Sequence, residues 1–89
     1  MKREEFIKYL KENNIPYGEN GVTDAVYVYS KKEHEEMMAL PEDLRGGYYV
    51  SYLRVSHFDE DMLYTRDNGV CGYRNDKWIM RKVKELGRV

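Results

Sequence analysis

A single cysteine, Cys71, among 89 residues excludes an internal disulfide, the usual support of small extracellular domains. A reducing, cytoplasmic setting is the expectation. No apolar run exceeds a few residues, so no segment is expected to span a bilayer. Met1-Lys2-Arg3-Glu4-Glu5 leads into no apolar stretch, which predicts the absence of a secretory leader. Net charge is nearly absent as well: 15 Lys and Arg against 16 Asp and Glu give −1, with no general pull toward nucleic acid or an anionic membrane. Two prolines, no low-complexity tract and no internal repeat leave nothing to divide the chain, so residues 1–89 are expected to form a single small domain. At this size only roughly 60–65% of the unfolded surface is buried on folding.

Signals for metal binding and catalysis are equally sparse. Zinc needs Cys and His ligands at fixed spacing, and none occur. His34-Glu35-Glu36-Met37-Met38 has the start of a His-Glu-x-x-His helix but not the second histidine, so two ring nitrogens cannot meet one turn apart. His57-Phe58-Asp59 with Asp61 is a polar turn of a kind common by chance. Asp24 and Lys31 flank an extended stretch as a metal-dependent nuclease would require, but the middle acid is missing and Tyr29 stands two residues before Lys31. Gly18 to Gly21 and Gly46-Gly47 match no phosphate-cradling spacing. Cys71 has no histidine near it in sequence and reads as a small packing residue. The expectation is a non-enzyme without a cofactor or metal.

What the chain does have is tyrosine, nine in all, together with 42% hydrophobic and 35% charged residues, a globular composition. Residues 2–13 carry Phe6, Ile7 and Leu10 at helical spacing, and Asn13, Asn14 and Pro16 stop that helix. Gly18 to Gly21 reads as a polar loop. Residues 24–30 alternate β-branched and aromatic side chains and predict a strand. Ser30-Lys31-Lys32-Glu33 is a capping box: the hydroxyl accepts from the Glu33 amide and the Glu33 carboxylate reaches back to the Ser30 amide. It opens a helix over about 31–40 whose apolar content is Met37, Met38 and Leu40. Residues 48–56 give the strongest strand pattern. Asn68-Gly69 between short β-prone runs predicts a two-residue hairpin that pairs Asp67 with Val70 and sets Tyr64 opposite Tyr73, with Cys71 and Arg66 on the same face. Asn75 caps a last helix with the stripe Trp78, Ile79, Val83 and Leu86, which Gly87 closes. The expected fold is α+β in the order α-β-α-β-β-β-α, a mostly antiparallel sheet with helices packed on one face.

Strand alternation sorts the side chains. Val26 and Val28, with Tyr49, Ser51, Leu53 and Val55, suit the core. The other face then carries Tyr27, Tyr29, Tyr48, Tyr52 and Arg54. Two readings of it stand side by side: a covered face whose hydroxyls reach the domain edge, or a recognition surface of the residue types that dominate protein interfaces. Charge is uneven along the chain. Residues 33–67 hold nine acids against three arginines, and residues 74–89 hold six bases against two acids. A basic terminal run is most often the solvated face of a helix.

The reading expected from these residues is a small protein-binding module, an adaptor or an inhibitor of a larger machine, of a size and style that suit a bacterial or phage-encoded chain. Its binding residues are Tyr27, Tyr29, Tyr48, Tyr52, Arg54 and Arg66, joined by the acidic turn Asp59-Glu60-Asp61. A homodimer through the same face is a variant of this reading. The alternative is single-stranded nucleic acid, stacked on the sheet tyrosines and held by the basic last helix.

Overall fold

Alternation in three strands and helical stripes at both ends leave one economical arrangement, a sheet with its aliphatic face under two helices. A computed structural model describes residues 1–46, 51–67 and 69–88. Helix α1 spans Arg3–Glu12, strand β1 Tyr17–Glu19, β2 Val26–Tyr29, helix α2 Lys31–Met38, β3 Tyr52–Ser56, β4 Leu63–Asp67, β5 Val70–Arg74 and helix α3 Asp76–Leu86. A single 3₁₀ turn covers Glu42–Leu44. The strands form one five-stranded sheet in the order β1-β2-β3-β4-β5, every neighbouring pair antiparallel. The expected α+β class holds.

One strand was not anticipated. Tyr17-Gly18-Glu19 pairs with Val28, Tyr27 and Val26 as an edge strand, and the ladder is extended by Tyr29 N–H to the Pro16 carbonyl at 2.9 Å and Asn20 N–H to the Ala25 carbonyl at 3.1 Å. Three residues around a glycine show no alternation, so sequence pattern alone reads them as loop. What makes them a strand is the turn of the preceding helix. Asn14 adopts φ 54, and the Ile15 amide reaches back to the Leu10 carbonyl at 3.0 Å, which delivers the chain to the edge of β2.

The core is the aliphatic face. Val26, Val28, Leu53, Val55 and Leu63 from the sheet are buried against Phe6 and Leu10 of α1 and Ile79 and Val83 of α3, with Ile15 and Phe58 closing the ends. Phe6 and Phe58 stack with ring centroids 5.6 Å apart. Gly87 closes α3 as its C-cap, as expected, with an ordinary helical φ of −72. A Cβ there would lie 3.2 Å from Ile15 Cδ1, so the absence of a side chain lets Ile15 pack close against the end of the helix.

Helix α2 departs from expectation in two ways. Its apolar side chains are not a buried stripe: no residue of α2 is buried, and Met38, Leu40 and the nearby Leu44 are exposed. Its capping box is also rewired. The Ser30 hydroxyl accepts from the Glu33 amide at 3.3 Å as expected. The Ser30 amide, however, donates to the Ser51 carbonyl at 3.2 Å, and the Glu33 carboxylate accepts from the Ser51 amide at 3.0 Å. The sheet has taken the donor that the box would have used, so Glu33 ties the helix to β3 rather than to its own N-terminus.

The two kinds of helix are expected to respond differently to substitution. Phe6→Ala should lower the unfolding free energy by about 3–5 kcal/mol in urea denaturation, the cost of a cavity in a packed core. Met38→Ser on α2 should change it by less than about 0.5 kcal/mol.

Candidate functional site

Register brings the side chains of four strands onto the face opposite the helices. Tyr27 pairs with Arg54 and Tyr29 with Tyr52 across β2 and β3. Arg54 in turn pairs with Arg66, and Ser56 with Tyr64, across β3 and β4. Tyr64 pairs with Tyr73 and Arg66 with Cys71 across β4 and β5. Directly paired residues of a sheet share a face, so Tyr27, Tyr29, Tyr52, Arg54, Ser56, Tyr64, Arg66, Cys71 and Tyr73 form one continuous surface. None of these tyrosines and arginines is buried, and Tyr73 is 51% exposed.

The sequence reading put Tyr27, Tyr29, Tyr52 and Arg54 on one face and named Arg66 as a further binding residue, and the register sets Arg66 on that face opposite Arg54. Tyr48 lies outside the described residues, as do Tyr49 and Asn68. Asp59, Glu60 and Asp61 are exposed in the turn between β3 and β4, at one end of the face and off the sheet itself. Sequence reasoning had the Tyr64–Tyr73 pair on its hairpin but did not join it to the larger face. Period-two alternation fixes faces within a strand; the register across the long turn at 57–62 joins the two groups. Cys71, read as a packing residue, is exposed instead.

Contacts within the face hold its side chains in place. Arg54 Nε donates to the Tyr27 hydroxyl at 3.3 Å and Nη1 to the Ser56 hydroxyl at 3.2 Å, with the guanidinium carbon 5.8 Å from the Tyr27 ring centre. Ser56 is buried and also meets His57 Nδ1 at 3.1 Å. Tyr64 and Tyr73 stack edge to face at 5.2 Å, and His57 completes a trio at 5.6 Å from Tyr64 and 6.4 Å from Tyr73. The neighbouring Cys71 side chain, foremost as a hydrogen-bond partner, raises the pKa of the Tyr64 phenol above the ordinary tyrosine value.

His57 stands at φ 61, an unusual conformation for a residue with a side chain, and an acid just before β2 anchors the turn next to it. The Asp24 carboxylate accepts from the Phe58 amide at 3.0 Å. Burial pushes its pKa up, but the Phe58 and His57 amides and the His57 charge outweigh that and hold it below the usual value. Asp24 is thereby accounted for as a loop anchor. Arg3 locks the same corner by donating to the Asp24 carbonyl at 3.0 Å and pairing with Glu19 at 2.7 Å.

Helix α3 lies on the other side of the sheet, where Ile79 and Val83 reach the core. Its exposed bases Lys77, Arg81, Lys84 and Arg88 therefore do not share a groove with the tyrosines. Among the described residues no group of three or more His, Cys, Asp or Glu side chains is placed to hold a metal ion, and no helix is long and apolar enough to cross a membrane. Comparison of the chain with family models, curated proteins and solved structures finds no match.

Because the Asp24 pKa is depressed in the folded state, its contribution is present above the unfolded carboxylate value near 3.8 and is lost as pH falls through the lower folded value. Asp24→Ala should cost about 1 kcal/mol at pH 7, discounted for the partial exposure of the site. The gap to the unsubstituted chain should close as unfolding is measured at successively lower pH below about 4.

Proposed function

We propose that this chain is a non-catalytic protein-binding module, an adaptor or inhibitor, that engages its partner through the tyrosine/arginine sheet face. The observation that carries this reading is the asymmetry of the sheet. Both buried helical stripes lie on one face, while five tyrosines, two arginines and His57 occupy or border the other with none of them buried. A small soluble domain seldom leaves so large an aromatic surface open without a use for it. Tyrosine and arginine supply contact area and directional hydrogen bonds at low entropy cost, which is why they concentrate the energy of protein interfaces. The acidic turn Asp59-Glu60-Asp61 borders the surface at one end, where it sets a charge boundary that a partner has to match.

Stacking of single-stranded nucleic acid on the same tyrosines is favoured less. That reading relied on α3 for phosphate contacts, and its exposed bases Lys77, Arg81, Lys84 and Arg88 lie across the sheet from the tyrosines; Lys82 borders a pocket with Tyr52, but Asp67 and Glu85 line the same pocket. The experiment is partner capture from the source cells with the chain as bait, compared between two doubly substituted variants. Tyr52→Ser with Tyr73→Ser should leave the melting temperature within about 5 °C and abolish recovery of the partner. Lys8→Ser with Lys11→Ser, on the exposed side of α1, should recover it undiminished. Equal recovery by both variants overturns the proposal.

A further inference from the structure

The arginines of the open face are arranged in a way that costs the folded chain stability. Arg54 and Arg66 are directly opposed across β3 and β4, on one face, and like charges at opposed positions repel. No ion pair among the described residues involves either of them; the pairs formed by Arg3, Lys8, Lys82 and the amino terminus lie elsewhere. The described strand residues of this face are tyrosine, arginine, serine, glycine and cysteine, without one carboxylate. Arg54 is held by two neutral hydroxyls, which orient the guanidinium through Nε and Nη1 and bring it no carboxylate among the described residues. A rule broken locally, with no carboxylate among the described residues to compensate, points to a site that is completed from outside.

We propose that Arg54 and Arg66 form a carboxylate-binding site, and that the partner segment docking on the tyrosine face is acidic. A carboxylate set between two guanidiniums accepts charge-assisted hydrogen bonds from both and cancels their repulsion. Tyr27, Tyr64 and Tyr52 flank the pair and offer hydroxyls and ring faces to the neighbouring residues of the segment. Charge argues against the two other occupants. A second copy of the chain, joined by a two-fold axis through this face, brings a second arginine pair against the first. A nucleic acid strand needs positive charge along its whole path, whereas here the positive charge is local and the turn at one end carries Asp59, Glu60 and Asp61.

This inference rests on the protein-binding reading and is tested separately from it, with a defined probe in place of the cellular partner. N-acetyl-hexaglutamate is titrated into the isotope-labelled chain at low salt and followed by amide chemical shifts. A fifteen-residue thymidine oligonucleotide is titrated in parallel, and sedimentation is run over the same concentrations. The peptide should shift β3 and β4 around Arg54 and Arg66, and Arg66→Gln should weaken its binding about tenfold or more. Without peptide, the same substitution should raise the melting temperature by about 1–4 °C at low salt, a gain that disappears in 1 M salt. No shift with peptide, shifts away from β3 and β4, or undiminished binding by Arg66→Gln overturns the proposal. So does a melting temperature that falls, an oligonucleotide that binds in preference to the peptide, or a dimer formed through these residues. If the capture experiment succeeds while this titration fails, the face binds a protein by other chemistry.

Discussion

Everything in this fold depends on one sheet having only one face covered. Val26, Val28, Leu53, Val55 and Leu63 are buried because Phe6, Leu10, Ile79 and Val83 come down on them from helices at the two ends of the chain. The meander then presents its alternate residues to the other side. With period-two alternation there is no third place for a side chain to go, so the composition of the open face follows from the composition of the core. A chain of this length has apolar helix surface for one layer and little more. Helix α2, the remaining helix, spends none of its residues on the core and serves instead as a crossover tied to β3 by Glu33.

The corners of the sheet show why the strands stay in this register. At one end Asp24 reaches across to the Phe58 amide and Arg3 joins the start of α1 to both Asp24 and Glu19, so that β1, β2 and the turn after β3 are fastened at a single point. At the other end Gly69, at φ 88, completes the tight turn that pairs Asp67 with Val70. On the core side Arg74 turns inward over Trp78, 5.0 Å from its ring centre, and shields the last strand where the aliphatic core ends. These polar clamps are individually small. Together they fix which tyrosine stands next to which arginine.

Much of this was legible in the sequence, and the parts that were not share a cause. The cap at Asn75 appears as read, its side chain accepting from the Trp78 amide at 2.9 Å, and so does the Tyr64–Tyr73 pair; both are set by residues within ten positions of each other. The faces of β2 and β3 were legible because Val-Tyr-Val-Tyr and Tyr-Leu-Arg-Val carry their own alternation. Strand β1 was not, because Tyr17-Gly18-Glu19 becomes a strand only by pairing with β2. The second half of Glu33's role was hidden for the same reason, since Ser51 is eighteen residues away and no local pattern announces the contact. Met38 and Leu40 misled in the opposite direction: as apolar content they suggested that α2 covers the sheet, but the two terminal helices already occupy the core and both side chains are exposed. The join between Arg54 and Arg66 required the register across the turn at 57–62, which alternation within one strand cannot supply.

That join is what turns a collection of tyrosines into a site with a chemical preference. Tyrosines alone are permissive, since any partner surface with some apolar area and a few polar groups can use them. What narrows the choice is rigidity combined with unbalanced charge. Arg54 is braced by Tyr27 and Ser56, and Ser56 in turn meets His57, whose ring packs against Tyr64 and Tyr73. Residues on four strands and the adjoining turn therefore hold one another, so that binding at this face would cost little rotamer freedom. A braced guanidinium facing a second one across the ladder cannot lower its energy by swinging toward an acid of its own chain, because its own hydrogen bonds keep it in place. A carboxylate from another molecule would supply the missing anion, and its binding energy would include the relief of the repulsion between Arg54 and Arg66.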